Sequence, residues 1–181
     1  MSKLDHKTVE PWKYISIEAA KLPPSPGKLR AVIDELDVEH APRYRARKGA
    51  TFCNIFVTDV CDAMGFQPSH WVTTDGEQAG VGEGVELNAN GLCRWFAKFG
   101  ASKGWVEADR KTAMDAAERG HFVVLGWDSK SEKPGHVAVL LPEGTIAQAG
   151  RTNFVGKTIR EGFGDLKPRF WIQARGGSHK P

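Results

Sequence analysis

The chain has 181 residues, 40% of them hydrophobic and 26% charged, with a net charge of +3. At roughly 150 residues per domain this is one domain with a core of ordinary size, and the balance excludes wholesale disorder and fibrous repeats. No stretch approaches the ~18 consecutive apolar residues that a spanning helix needs, and residues 1–10 lack the apolar core of a secretory signal, so cytoplasmic synthesis without stable membrane insertion is expected.

Charge is unevenly spread: residues 1–50 carry +3, residues 51–150 carry −5 and residues 151–181 carry +5. Six of the seven C-terminal basic residues, Arg151, Lys157, Arg160, Lys167, Arg169 and Arg175, are dispersed. They read as a solvated tail or as a long-range hold on an acidic polymer. Three cysteines, Cys53, Cys61 and Cys93, are an odd number without CxxC spacing, which points to free thiols and away from a disulfide framework or zinc site.

In chain order, the run Pro23-Pro24-Ser25-Pro26-Gly27 breaks regular structure, which sets residues 1–27 apart as an N-terminal arm and assigns 28–181 to the main domain. Leu29, Val32, Ile33 and Leu36 share one face of a short helix. The clearest helix is 52–64, with an apolar stripe of Phe56, Val57, Val60 and Met64, Thr51 as a start cap and Gly65 as a left-handed stop. Residues 67–87 read as a long loop. Asn88 then caps a helix with Leu92, Trp95, Phe96 and Phe99 inward, and Asp109 caps 111–119, whose Ala113, Ala116 and Ala117 permit close packing. Beyond Gly120 the pattern changes to short apolar runs at 122–125, 136–141, 145–149 and 169–174, separated by turn-formers; the first three read as adjacent antiparallel strands. Helices followed by strands give an α+β fold, with N-terminal helices packed on an antiparallel sheet.

Cys53 falls in the first turn of the best helix, where unpaired backbone N–H groups and the helix dipole favour a thiolate. It is therefore the candidate nucleophile, while Cys61 and Cys93 read as core. His136 opens an apolar strand, where its ring can stand at the end of a sheet. Gln148 lies twelve residues later, across the turn Pro142-Glu143-Gly144, where a hairpin brings it beside His136 and lets its amide oxygen accept the ring N–H not used in proton transfer. A thiol, an imidazole and an orienting group are the parts of a Cys–His nucleophilic site. Asp59 reads as a solvated or helix-supporting carboxylate. Trp71, Trp105 and Trp127 read first as core and second as glycan-stacking faces. The histidines show no metal-ligand spacing such as HExxH, and no metal or cofactor is expected.

The strings Thr51-Phe52-Cys53-Asn54-Ile55-Phe56 and Pro134-Gly135-His136-Val137-Ala138-Val139-Leu140, with a polar residue twelve positions past the histidine, resemble the papain-like peptidoglycan amidohydrolases of the NlpC/P60 and CHAP type. The resemblance covers roughly residues 40–150. It implies a papain-like domain in which Cys53, His136 and Gln148 form the catalytic set of a cysteine peptidase or amidase cutting an amide or peptide bond in bacterial peptidoglycan. The family often has Asp or Gln just before the cysteine and a small pair after it, where Phe52 and Asn54-Ile55 stand here. Many members place a tyrosine about a dozen residues before the cysteine, near the oxyanion. Tyr44, nine residues before, is the candidate for that role, with Asn54 beside it on the oxyanion or substrate side.

Bacterial peptidoglycan is accordingly the expected partner, with no nucleic acid. A chain without its own export signal would reach the wall as a phage lysin released by another protein or as an exported toxin. Two other readings stay open: a cytosolic cysteine peptidase acting on proteins, and a non-catalytic binding module of a virion or secretion particle.

Overall fold

Odd and even positions of the central strands point to different layers. Val124, Val137 and Val139 join one buried apolar cluster, while Val123, Leu125, Ala138 and Leu140 join a second. A strand turns alternate side chains to opposite faces, so a strand apolar at every position must be covered on both. The computed structural model, which describes residues 6–25 and 27–174, shows how.

Six strands form one sheet: β3 (Trp105–Ala108), β4 (Val123–Trp127), β5 (His136–Leu140), β6 (Thr145–Gln148), β7 (Phe154–Thr158) and β8 (Arg169–Gln173). Their spatial order is β3-β8-β4-β5-β6-β7, and every neighbouring pair is antiparallel. The helices α1 (Lys28–Leu36), α2 (Cys53–Met64) and α3 (Ala89–Phe99) contribute their buried faces to the first cluster. The helices α4 (Arg110–Glu118) and α5 (Ile159–Phe163) contribute to the second. The α+β architecture is as expected, but the helices cover both faces of the sheet. Among the described residues no helix is long and apolar enough to cross a membrane.

Helix α2 is held by burial. Phe56, Val57 and Val60 are inaccessible to solvent, and each such side chain contributes roughly 1.5–3 kcal/mol on removal from water. Gly65 ends the helix in the left-handed conformation, at φ 80°. Its start differs from expectation, because the N-cap is Phe52, whose side chain accepts no hydrogen bond, so Thr51 does not cap it. Asn88 and Asp109 do cap α3 and α4, accepting from Gly91 N at 2.8 Å and Thr112 N at 2.9 Å.

Residues 67–87 contain the small antiparallel pair β1 (Trp71–Val72) and β2 (Val85–Glu86). Strands β3 and β7, at the two edges of the large sheet, went unread in the sequence. Each is short and largely solvent-facing, with Val106 54% exposed, so neither carries a hydrophobic run.

The N-terminal segment lies against the domain. Ile17 and Ala19 are buried, the Glu35 carboxylate accepts from the backbone N–H of Glu18 and Ala19, and Arg43 donates to the carbonyls of Val9, Glu10 and Lys13. The basic C-terminal segment expected from the sequence extends past residue 174 and so lies partly outside the described residues.

Candidate active site

The β5–β6 hairpin pairs Val139 with Ala147 and Leu140 with Ile146. Extending that register sets Ala138 opposite Gln148, which makes His136 the diagonal neighbour of Gln148 on the same face. Diagonal pairs are ~7–8 Å apart at the backbone, a span that long side chains bridge. Here they do: His136 Nε2 lies 2.7 Å from Gln148 Oε1. The glutamine amide is held at its other end, where Nε2 donates to the Thr152 carbonyl at 3.1 Å. That second bond fixes which amide atom faces the ring. Because the facing atom is an oxygen, the imidazole must donate from Nε2, and in the neutral ring the lone pair then sits on Nδ1.

Helix α5 closes over this pair. The His136 ring lies against Phe163 at a centroid distance of 4.7 Å. Gly162 is seated where a Cβ would come within 2.5 Å of both Gln148 Oε1 and Ile146 Cδ1. The sequence reading missed this helix, although its signature is present: Thr158 and Glu161 form a reciprocal capping box around its first turn.

Cys53 opens α2 on the other face of the sheet. Cys53 is 3% exposed, and its thiol faces the backbone N–H of Val137, the residue after His136, as well as those of Asn54 and Cys53 itself. The sulfur thus sits near the end of β5 that carries the histidine, but the two side chains lie on opposite faces of the sheet. Cys53 packs with Val137 in the first cluster, the His136 ring packs on Phe163 of the second, and among the described residues no hydrogen bond joins them. The expected thiolate is not what this environment favours. Burial pushes the Cys53 thiol up, and the three N–H groups offset this only in part. Burial likewise pushes the His136 imidazole down, against the bond from Gln148. Both shifts favour a resting pair of neutral thiol and neutral imidazole.

The two remaining candidates are used elsewhere. Tyr44 is buried, and its hydroxyl donates to Asp59 Oδ2 at 2.7 Å, which takes it out of any oxyanion role. The side chain of Asn54 donates to the Leu87 carbonyl at 2.9 Å, so only its backbone N–H is offered to the sulfur. Asp59 is neither solvated nor a plain helix supporter. It is buried on α2 and accepts from Arg43 Nε at 2.7 Å and Nη2 at 2.9 Å. One turn further on, Asp62 accepts from Ser69 Oγ at 2.5 Å, and burial pushes its carboxyl up to about 8.

Cys61 and Cys93 are buried free thiols. Burial holds Cys61 well above the ordinary range and raises Cys93 to about 12. Trp105 is core, with Nε1 donating to the Gln67 carbonyl at 2.7 Å, and Trp71 is half-buried and donates to the Trp12 carbonyl at 2.9 Å. No protein-family model and no curated protein matches this chain.

Proposed function

We propose that the protein is a cysteine hydrolase of papain-like design that cuts an amide or peptide bond in bacterial peptidoglycan. The observation that carries the reading is the His136–Gln148 hydrogen bond at 2.7 Å, at the end of the strand whose next N–H faces the Cys53 sulfur. With Nε2–H held by the amide, Nδ1 is the nitrogen free to take the thiol proton. Because the two side chains lie on opposite faces of the sheet, the transfer in this reading runs around the open end of β5, where His136 is the terminal residue, directly or through one water. The sulfur then adds to the substrate carbonyl, and the oxyanion is received by backbone N–H groups at the start of α2. Collapse of the adduct breaks the C–N bond, the departing amine takes the proton from His136, and a thioester remains. His136 next removes a proton from water, which attacks the thioester and releases the acid and the thiol.

The choice of peptidoglycan as substrate rests on the sequence resemblance and on the basic C-terminal segment, which suits an acidic wall polymer. In this reading the chain acts on the wall after release by another protein or export. The burial of Cys53 favours the rival reading of a non-catalytic module, in which the thiol is merely a small core side chain. Incubation of purified sacculi with the protein, followed by mass spectrometry of the soluble fragments, separates the two. New amine and carboxyl ends that are absent with Cys53→Ala support the hydrolase. An undigested wall defeats it, and cleavage of casein but not of the wall would favour a protein peptidase.

A further inference from the structure

His136 is delivered to its place by residues 128–135, the irregular connection between β4 and β5. Side chains from α3 hold that connection, and Asn90 makes most of the bonds. Asn90, in the first turn of α3, is buried, and both ends of its amide are engaged. Its Oδ1 accepts from Ser129 N at 3.0 Å, while Nδ2 donates to Ser129 Oγ at 3.0 Å, to the Lys133 carbonyl at 2.9 Å and, less closely, to the Ser131 carbonyl at 3.4 Å. Arg94, one turn later on α3, adds an ion pair to Asp128 at 3.0 Å.

The clamp reaches the residue before the histidine. A Cβ on Gly135 would overlap both Asn90 Oδ1 and the Trp127 carbonyl, so the backbone that aims the His136 side chain is pressed directly against the Asn90 amide. Gln148 fixes the imidazole at its Nε2 end, and the backbone end must be fixed independently for the ring to hold one orientation.

We propose that Asn90 is a positioning residue for His136, acting through residues 128–135. This rests on the hydrolase reading above for its meaning in catalysis, whereas its structural core can be read without substrate. Asn90→Asp keeps the acceptor for Ser129 N and the side-chain shape. It replaces the donor with a carboxylate oxygen facing the Lys133 and Ser131 carbonyls, so it opens the clamp with little change in volume. Gly135→Ala attacks the same contact from the loop side and serves if Asn90→Asp fails to fold. Nitrogen-15 NMR of the His136 ring reports the Nε2–H tautomer and its titration in the free protein, and steady-state kinetics on purified peptidoglycan report turnover.

The expected result for either variant is loss of the single Nε2–H tautomer signal, with kcat down ~10- to 100-fold, KM changed by less than ~3-fold, and partial recovery of the signal for Asn90→Asp on acidification that neutralises the carboxylate. A His136 signal and titration identical to the parent's would overturn the proposal, as would a changed signal with undiminished kcat. If the parent protein leaves peptidoglycan intact, the hydrolase reading fails by itself, and the NMR arm still decides whether Asn90 sets the ring.

Discussion

Replacing Gln148 by Ala tests the one hydrogen bond on which the proposed chemistry turns. In the resting state it joins a neutral ring to a neutral amide, but when the thiol proton moves to Nδ1 the ring becomes a cation and the same 2.7 Å bond becomes charge-assisted. A hydrogen bond to a charged group is worth ~1.5–3 kcal/mol. Its loss should therefore slow turnover by about 10- to 150-fold, well short of the loss expected on removing the nucleophile. Gln148 is 4% exposed and also supplies the Thr152 carbonyl with a donor, so a stability loss of about 1–3 kcal/mol should accompany the change. Gln148→Glu separates orientation from charge. Burial keeps the His136 imidazole below the ordinary histidine range, so the base stays neutral, and the acid limb of kcat/KM should lie below pH 6.5. A carboxylate at position 148 favours the imidazolium, raises that pKa and moves the limb to higher pH. Steady-state rates on purified peptidoglycan across pH 4.5–9 give both quantities. Full activity in Gln148→Ala, or an acid limb unmoved in Gln148→Glu, would refute the assignment of Gln148 as the group that orients the base.

Gly162→Ala should lower turnover by roughly tenfold without touching a reacting group, because the new methyl displaces Gln148 Oε1; a crystal structure of the variant with the His136–Gln148 bond intact would contradict this. Cys53→Ala should abolish wall digestion with the melting temperature within a few degrees of the parent, while Cys61→Ala keeps measurable turnover because its thiol is core. Asp62→Asn should raise stability at neutral pH. Its carboxyl titrates near 8 when folded, against about 3.9 when unfolded, so the parent loses stability as pH rises from ~4 to ~8, while the unfolded chain gives up a proton that the folded chain keeps. The variant should be more stable than the parent by up to about 5 kcal/mol at pH 8 and nearly equal to it at pH 4, as urea unfolding at the two pH values would show. An equal gain at both would mean that Asp62 does not titrate in this window.

What the sequence by itself determined is local. Apolar residues at helical spacing and Gly65 marked α2, the Asn88 and Asp109 caps marked α3 and α4, and the turn at 142–144 set the hairpin that brings His136 to Gln148. Each of these depends on residues a few positions apart, whose preferences act in any context. What only the tertiary structure decided concerns surroundings. The Cys53 position carried the signature of an activated thiol, yet its pKa direction is set by how much protein covers the sulfur, a quantity no spacing encodes. Tyr44 looked suited to an oxyanion until Asp59, fifteen residues away, proved to hold its hydroxyl, and Asp59 itself was misread because its partner Arg43 lies sixteen residues back. The edge strands β3 and β7 take their conformation from the ladders beside them and carry little apolar signal of their own. Asn90 had only a helix-start position to its name, and its amide acquired a role when the fold laid the loop before His136 across it.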